Sequence, residues 1–425
     1  MKDNFNSYIF NTSQKHLCTG CGACVQICPK GALAMCKDNE GFLYPQINPD
    51  LCVECGLCDR KCPVQYGSHN AYDNFEQYSL LATRDESDYT NKYATIGVCT
   101  RISKEAFGKG WKVFGVKLDE NGWKTFHQCA TSFRDIDLFS NSKYAQSDTK
   151  ETYSEVKASL VAGHKVLYIG TPCQISGLKA FVKDSRNLYT IDLICHGTFS
   201  SKLLRYEVEH WENKFGGRLS NLYFRSKIKY PWTAGGMVNF NIWNGKKSKH
   251  IEIHATGSPT YKCFAYCENG VSYNLRPSCY TCRFRDRKRF ADLTVGDAWC
   301  IKDDGLFTNK TRQNGVSLLI CNSAKGDELI NLLQGINFKP LDIDRAFVQS
   351  ALLPVHRNIP VERELIYKIT DGENYGMKVE RLLNISLEDS LRKTMSRLQK
   401  EKIKRIFKVI LFYDKWCNKL SVFRK

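Results

Sequence analysis

The sequence lacks any apolar run long enough to cross a membrane. No apolar stretch in its 425 residues approaches the roughly 18 that a transmembrane helix needs. The N-terminal MKDNFNSYIF has no basic start followed by an apolar stretch, so no secretory signal is expected. Low-complexity segments are also absent, and the only internal similarity is between two cysteine runs. These absences favour a cytoplasmic globular protein of two or three domains.

Cysteine, by contrast, is abundant. The chain contains 20 cysteines, several of them in tight C-x2-C spacings. In a secreted protein this number would indicate disulfides, but without an export signal the spacing favours metal binding. We therefore expect a metalloprotein that folds in a reducing cytoplasm.

Two cysteine runs near the N-terminus have identical spacing. Both follow C-x2-C-x2-C-x3-C-P, the bacterial ferredoxin pattern, in which the fourth cysteine of each run binds the cluster of the other run. One 4Fe–4S cluster is therefore predicted on Cys18, Cys21, Cys24 and Cys62. A second is predicted on Cys52, Cys55, Cys58 and Cys28. Zinc is the alternative metal, but zinc sites use four ligands, usually as two C-x2-C pairs, and eight cysteines in this arrangement fit them poorly.

The rest of the sequence predicts a mixed α/β (α+β) fold. Helix-like segments such as 151–162 and 200–214 alternate with strand-like ones, namely 78–83, 111–118, 165–170, 188–195, 237–243, 292–299 and 316–321. The predicted organisation is a ferredoxin-like domain in 1–65, a polar linker in 66–77, a two-part mixed-sheet body in 78–160 and 161–345, and a basic helical tail in 346–425.

Four further cysteines predict a third 4Fe–4S cluster. Cys173 and Cys195 each follow a predicted strand, which places both at one edge of a sheet, where sites in open α/β sheets usually lie. Cys279 and Cys282 form a C-x2-C pair of soft ligands. One alternative is that Cys173 and Cys195 are small buried core residues. Another is that a C-x3-C pair supplies ligands instead: Cys263 and Cys267.

Seven segments of the body resemble a known family in the same order along the chain. They are Ser142–Ser147, Gly170–Lys179, Cys195–Gly197, Phe224–Lys227, Ser278–Cys282, Gly296–Trp299 and Gly315–Ser317. The sequence is similar here to the beta-subunit family of deazaflavin-reducing hydrogenases and dehydrogenases, which includes the plant 7-hydroxymethyl chlorophyll reductases. The resemblance covers about 78–345, with the ferredoxin module in front, as in many bacterial members.

This resemblance implies an iron–sulfur flavoprotein oxidoreductase. The body would be flavin-binding and hold FAD, and the clusters would connect it to a redox partner protein or coenzyme. The residues implied to bind FAD are Thr95, Gly97, Ser142, Lys143, Tyr144, Gln146 and Ser147. His196 is the implied proton donor near the flavin, and a structural histidine at a strand end is its alternative.

The second substrate implied by the resemblance is a small molecule. It would be a deazaflavin coenzyme or an organic intermediate such as a sugar derivative, because fused members of this type often belong to bacterial cell-surface polysaccharide biosynthesis. Two rival hypotheses remain at this point. One is an electron-relay subunit without flavin, and the other is a non-catalytic scaffold of a polysaccharide biosynthesis complex.

One segment departs from the family pattern. The family usually has Ser-Ser-Gly-Gly-Val at the start of a helix, whereas this sequence has Ala94-Thr95-Ile96-Gly97-Val98. A glycine-rich helix start binds anions through its free backbone amides. Ile96 is therefore expected to add bulk where the flavin phosphate would lie, and Ala94 to remove a hydroxyl. This departure favours the relay without flavin.

The C-terminal segment is strongly basic. Residues 392–425 contain 12 Lys or Arg against two acidic residues, within a net charge of +18 for the chain. The apolar residues Ile403, Ile406, Phe407, Ile410 and Leu411 recur at helical spacing. A basic amphipathic helix suits the anionic inner face of the membrane, and association with a partner or with itself and a solvated helix are the alternatives. No nucleic-acid motif accompanies it, so no nucleic-acid partner is expected.

Overall fold

The N-terminal segment folds around a two-stranded hairpin. The computed structural model describes residues 14–66, 75–84, 93–182, 185–265, 267, 270–301, 313–349, 351–355 and 357–400. In the first range, strands β1 (Leu33–Lys37) and β2 (Leu43–Ile47) pair antiparallel. Three single-turn helices lie within or beside the cysteine runs: α1 (Ala23–Gln26), α2 (Leu57–Arg60) and α3 (Pro63–Tyr66).

The repeated cysteine spacing produces a repeated local structure. In the first run the Gly20 backbone N–H donates to the Cys18 Sγ over 3.4 Å. In the second run the Glu54 N–H donates to the Cys52 Sγ, also over 3.4 Å. A hydrogen bond to a thiolate stabilises the charged form, which is the form that binds metal. Both loops are therefore locally suited to metal ligation.

The body is built on an eight-stranded mixed sheet and a smaller three-stranded one. In chain order the strands are β3 (Tyr78–Thr83), β4 (Lys112–Leu118), β5 (Thr125–Cys129), β6 (Val166–Gly170), β7 (Leu188–Leu193), β8 (Arg218–Tyr223), β9 (Met237–Trp243), β10 (Ser248–His254), β11 (Leu293–Asp297), β12 (Ser317–Cys321) and β13 (Asn337–Leu341). The large sheet has the order β13-β3-β12-β11-β7-β6-β4-β5, and the small antiparallel sheet has the order β10-β9-β8. Strands β4, β6, β7 and β11 are mutually parallel, and the remaining pairs of the large sheet are antiparallel.

The predicted boundary near residue 160 runs through the large sheet. Strand β4, from the first predicted subdomain, pairs in parallel with β6 from the second, with Lys112 opposite Val166. The 78–160 segment therefore supplies strands to the same sheet as the 161–345 segment. The three-stranded sheet, formed entirely within 161–345, is the separate layer of the body.

Helices cover both faces of the large sheet. The longer ones are α4 (Val98–Gly108), α5 (Phe133–Phe139), α6 (Thr152–Val161), α7 (Pro172–Val182), α8 (Ser201–Phe215), α9 (Pro259–Ala265), α11 (Ala324–Ile330), α13 (Val361–Tyr367) and α14 (Tyr375–Leu383). Shorter ones are α10 (Pro277–Tyr280) and α12 (Ile343–Phe347), with 3-10 turns at Lys15–Leu17, Trp232–Ala234 and Ala255–Gly257. The mixed α/β fold predicted from the sequence is confirmed.

Burial follows the hydrophobic pattern of each element. In β6, the consecutive residues Val166, Leu167 and Tyr168 are all fully buried, as expected for a parallel strand covered on both faces. In α4, Val98, Ile102 and Ala106 are buried at a spacing of one helical turn and form one apolar face. The burial of these residues holds β6 and α4 in the packed layers of sheet and helix that position the site.

The ferredoxin-like segment packs closely on the body. Arg363 of α13 forms a bidentate ion pair with Glu40 in the β1–β2 turn. The Thr149 hydroxyl donates to the Cys21 carbonyl over 3.1 Å. The Gln26 side-chain carbonyl accepts from the Tyr153 backbone N–H over 2.9 Å. The first contact holds the hairpin to α13, and the other two hold the first cysteine run beside α6.

Residues 387–400 of the basic tail are helical. The amphipathic stretch predicted between Ile403 and Leu411 lies outside the described residues. Among the helices that the structure describes, none is long and apolar enough to cross a membrane.

Candidate functional site

A cavity of about 310 Å³ lies at the carboxyl ends of the parallel strands. Its walls include the ends of β6, β7 and β11 and the residues that follow them, together with the first turns of α4 and α7. In open α/β sheets this is the edge at which ligands bind. The lining contains both the cysteines predicted to hold a third cluster and the segments implied to hold FAD. The two predicted sites are therefore neighbours in one cavity.

Four cysteines line one wall of this cavity: Cys173, Cys195, Cys279 and Cys282. Cys173 lies in the first turn of α7, Cys195 follows β7, and the other two lie in and after α10. The glycine at position 197 lets the loop after β7 lie close to the segment that contains Cys279. A Cβ there would lie 2.9 Å from the Leu275 side chain and 3.3 Å from the Cys279 Cβ.

Burial raises the pKa of each of these four thiols. The pKa of Cys173 rises to about 11 and that of Cys282 to about 12. For Cys195, repulsion from the other three sulfurs adds to the effect of burial. Four half-buried, mutually repelling thiols are unfavourable as thiolates unless a cationic metal group neutralises them. This donor set fits a cluster with four cysteine ligands.

The cysteines of the first predicted ferredoxin cluster also lie together. A second, small cavity is lined by Cys18, Cys21, Cys24 and Cys62. Burial is again the largest cause that raises the pKa of Cys21, Cys24 and Cys62, and repulsion among the sulfurs contributes. The set combines three residues of one run with the fourth of the other, as the sequence predicts.

The second predicted set lies nearer to the surface. Cys28 and Cys58 pack at the edge of a small apolar cluster with Leu33, whereas Cys55 is exposed. Burial raises the pKa of Cys58 to about 11. This set is therefore the one closest to solvent.

Within the described ranges, no three His, Cys, Asp or Glu side chains converge on a position for a single metal ion. This is compatible with 4Fe–4S clusters, since each thiolate then binds a different iron and the sulfurs do not meet at one point.

The start of α4 forms the opposite wall of the cavity. Gly97, with φ of 78°, precedes the helix, and Thr95, Gly97 and Val98 line the cavity. Ile96 does not line it: only 1% of its surface is exposed, and it packs in the core with Ile102. The expectation that Ile96 would add bulk at a phosphate site is therefore wrong, because the backbone turns this side chain inward. The helix start keeps the free amides that can bind an anion.

Residues 142–147 form the floor between these walls. The Gln174 side-chain amide donates to the Ser147 hydroxyl over 2.9 Å and accepts from the Thr171 backbone N–H over 3.0 Å. The Ser147 hydroxyl in turn contacts Nδ1 of the buried His127 over 3.3 Å. These contacts join two of the segments that carry the family resemblance.

Three other residues of this segment have distinct environments. The half-buried Lys143 ammonium donates to the carbonyls of Phe139 and Ser140 over 3.1 and 2.7 Å, and so caps α5. Burial lowers the pKa of Lys143 to about 7. The Tyr144 ring packs against Phe264, with centroids 4.9 Å apart. Ser142 lines the cavity with Lys143 and Tyr144.

Three of the described residues that line the cavity each have a buried polar atom without a hydrogen-bond partner. They are Thr19 Oγ1, Gln146 Nε2 and Arg276 Nη2. Buried polar groups are almost always satisfied, so unsatisfied ones at a cavity suit a polar ligand. The helix start and these three atoms together fit a phosphate-bearing cofactor such as FAD.

His196 lines the cavity directly after Cys195. Its Nε2 lies 2.8 Å from the Ser272 hydroxyl, which donates its own proton to the Phe264 carbonyl. Nε2 must therefore carry the hydrogen in this contact. Burial, reinforced by Arg285 and Arg357, lowers the pKa of His196 to about 4. The imidazole is consequently neutral at pH 7.

Arg276 lines the cavity as well, although the sequence predicted no role for it. Its Nε donates to the Cys18 carbonyl over 2.7 Å, and its Nη1 donates to the Gln146 side-chain oxygen over 3.0 Å. The position of Arg276 three residues before Cys279 was the available signal.

The rival ligand pair is elsewhere: the Cys267 thiol donates to the Cys263 carbonyl over 3.0 Å, and neither residue lines the cavity.

Two family models match separate segments of the chain. Residues 17–66 match the 4Fe–4S dicluster domain, and residues 163–342 match the C terminus of the coenzyme F420 hydrogenase/dehydrogenase beta subunit. Among curated proteins, none matches the chain. Among solved structures, it is similar to a chain of the F420-reducing NiFe hydrogenase complex from Methanosarcina barkeri. The two chains are 16% identical over 73% of this chain and 92% of that chain, with a TM-score of 0.41.

The chain thus joins a segment that matches the 4Fe–4S dicluster domain to one that matches the C terminus of the coenzyme F420 hydrogenase/dehydrogenase beta subunit, and it is an iron–sulfur protein of the oxidoreductase, electron-transfer type.

Proposed function

We propose that the chain is an iron–sulfur flavoprotein that moves electrons between its clusters and FAD, and from FAD to or from a small-molecule substrate. One observation carries this proposal. The cavity has four cysteines on one wall and a free helix start on the other. A cluster and a flavin held on these two walls would be adjacent, which electron transfer between them requires.

The cysteine sets give the relay a spatial order. The set with the exposed Cys55 is the natural point of exchange with a redox partner protein. The set that includes Cys21 lies against α7, and the first turn of α7 carries Cys173. Electrons would therefore pass from the cluster on the set with Cys55 to the cluster on the set with Cys21, and on to the cluster at the cavity, or in the reverse direction.

The surface next to the exposed set suits contact with a partner protein. Leu51 and Val53 flank Cys52, and 49% and 58% of their surfaces are exposed. Contiguous exposed apolar patches mark protein–protein interaction sites. The partner proposed here is a protein or coenzyme that exchanges single electrons.

The residues proposed to hold FAD are those implied from the sequence, joined by Thr19 and Arg276. FAD accepts or donates electrons singly on the cluster side and exchanges a hydride with a substrate. The backbone amides at Gly97 and Val98 would bind phosphate, and Gln146 would use its unsatisfied Nε2. Lys143, whose pKa is lowered by desolvation alone, would gain an anionic partner when a phosphate binds.

The substrate is proposed to be a deazaflavin coenzyme or an organic intermediate such as a sugar derivative. His196 would act as a neutral hydrogen-bonding group rather than an acid, because its pKa of about 4 lies well below neutral pH. A role in cell-surface polysaccharide biosynthesis, and contact of the basic tail with the membrane, belong to this proposal as well.

Anaerobic reconstitution tests the proposal directly. The full chain is loaded with iron, sulfide and FAD, and all three are quantified beside an absorption spectrum. We expect about twelve irons, four for each of three clusters, and about one flavin for each chain. About eight irons with no flavin retained after FAD is added would contradict the flavoprotein and support a relay without flavin. A photoreduced sample should then show the clusters reduced before or together with the flavin.

A further inference from the structure

The buried Arg276 has an unusual position between two cysteine sets. Its Nε donates to the backbone carbonyl of Cys18, a ligand of the first predicted cluster. The residue itself precedes Cys279, a ligand of the cavity set, by three positions. It also lines the cavity that contains Cys173 and Cys279. Only 1% of its surface is exposed.

The charge of Arg276 has no anionic partner in the described part of the chain. Its guanidinium lies over the rings of Tyr44 and Phe42, 4.0 and 5.4 Å from their centroids. Its two hydrogen-bond acceptors, the Cys18 carbonyl and the Gln146 side chain, are neutral. Its Nη2 is buried with no acceptor. A buried cation with only neutral contacts is costly unless an anion lies close by.

A cluster with thiolate ligands is an anion, and the buried position of Arg276 between two cysteine sets suits such an anion. Arg276 lines the cavity beside Cys173 and Cys279, and it is hydrogen-bonded to the backbone carbonyl of Cys18. Reduction of a cluster adds one more negative charge. A nearby buried cation stabilises that added charge strongly, because little solvent screens it. Cluster potentials respond to such local charge and hydrogen bonding.

We propose that Arg276 is a positioning residue that raises the reduction potentials of the clusters on either side of it, and so sets the energy level for electron passage between the ferredoxin-like domain and the cavity. The part that concerns the cavity cluster rests on the proposed function. The part that concerns the cluster at Cys18 rests on the dicluster domain alone.

Two substitutions remove the net positive charge in different ways. Arg276→Gln deletes the guanidinium. Gln146→Glu keeps it but places a carboxylate at the oxygen that already accepts from Nη1 over 3.0 Å. In both variants, one-electron reduction of the neighbouring clusters should become at least about tenfold less favourable, which corresponds to 59 mV for a one-electron couple. Arg276→Lys, which keeps the charge, should restore the potential close to that of the unaltered protein.

Arg363→Gln is the matched control. Arg363 is also buried and also joins the ferredoxin-like hairpin to the body, but its charge is balanced by Glu40. Its loss should weaken domain packing and leave the cluster potentials unchanged. A purely structural role for Arg276 predicts instead that Arg276→Gln, Arg276→Lys and Arg363→Gln have similar effects.

The measurement is a redox titration followed by electron paramagnetic resonance on the flavin-free, iron-loaded full chain. Unchanged potentials in Arg276→Gln or Gln146→Glu at full iron content would overturn the inference. If Arg276→Gln fails to retain iron, Gln146→Glu decides, since it leaves Arg276 in place. If the unaltered protein holds about eight irons rather than about twelve, the third cluster fails, and the cluster beside Cys18 then decides the inference by itself.

Discussion

Cys21 packs directly against Gly177 of α7. A Cβ built on Gly177 would lie 2.9 Å from the Cys21 Sγ and 3.3 Å from the Tyr153 hydroxyl. Real Cβ atoms are almost never found so close to a neighbouring atom, so the glycine is required by the approach of the ferredoxin-like domain. Since Cys173 lies in the first turn of the same helix, α7 connects the first predicted cluster to the cavity set.

A methyl group at position 177 should disturb the first cluster. In Gly177→Ala the new Cβ would push Cys21 away from its ligating position, so we expect about four fewer irons for each chain. Gly108→Ala is the control, because its Cβ would meet nothing nearer than 3.9 Å and alanine favours a helix. Iron quantification after identical anaerobic loading checks this. Equal iron contents in the two variants would show that Cys21 tolerates the shift.

The cavity cysteines can be distinguished from the rival C-x3-C pair by single substitutions. Cys195→Ser should lose the third cluster, about four irons for each chain, and retain the ferredoxin-type absorption. Cys267→Ser should retain all iron, because the Cys267 thiol is hydrogen-bonded to a backbone carbonyl away from the cavity. A loss of iron in Cys267→Ser and not in Cys195→Ser would reverse the ligand assignment.

Local sequence signals predicted the elements of the body well, whereas the ligand sets stay predictions. The seven predicted strands are found close to their expected bounds, because alternating or continuous apolar runs with turn residues on either side leave few other structures. The pairing of Cys62 with the first run, which depends on a fixed local motif, also agrees with the cavity that they line.

The sequence did not predict features that depend on long-range packing. The continuity of the sheet across residue 160 arises from the pairing of β4 with β6, which no local pattern encodes. The inward turn of Ile96 depends on the left-handed backbone of Gly97 and on the core around α4. Arg276 acts through contacts to residues more than 100 positions away, at Cys18 and Gln146. A pattern of residue types cannot show such contacts.

The two residues at the start of α4 should affect FAD binding differently. Gly97→Ala forces a left-handed conformation on a residue with a Cβ, at about 1–2 kcal/mol, and places that Cβ 2.7 Å from the Tyr93 ring. FAD should then bind roughly tenfold more weakly. Ile96→Val should lower the free energy of unfolding by about 0.5–1.5 kcal/mol and leave FAD affinity unchanged, because Ile96 is in the core. Tighter FAD binding in Ile96→Val would indicate that Ile96 faces the ligand after all.

The neutral state of His196 has a consequence for stability against pH. Its pKa is lowered to about 4 in the folded protein, whereas the unfolded chain has the ordinary value of about 6.5. Between these values the unfolded chain binds more protons, so the stability contributed by His196 is present above pH 6.5 and is lost as pH falls towards 4. His196→Gln removes this group and keeps a side chain that can donate to the Ser272 hydroxyl.

The urea midpoint of the unaltered protein should therefore fall more steeply from pH 7 to pH 5 than that of the variant. Because desolvation lowers the pKa values of His127 and His210 similarly in both proteins, their contribution cancels in the comparison. Parallel pH profiles would mean that the pKa of His196 in the folded protein is close to its ordinary value of about 6.5, and would restore it as a proton donor at the cavity.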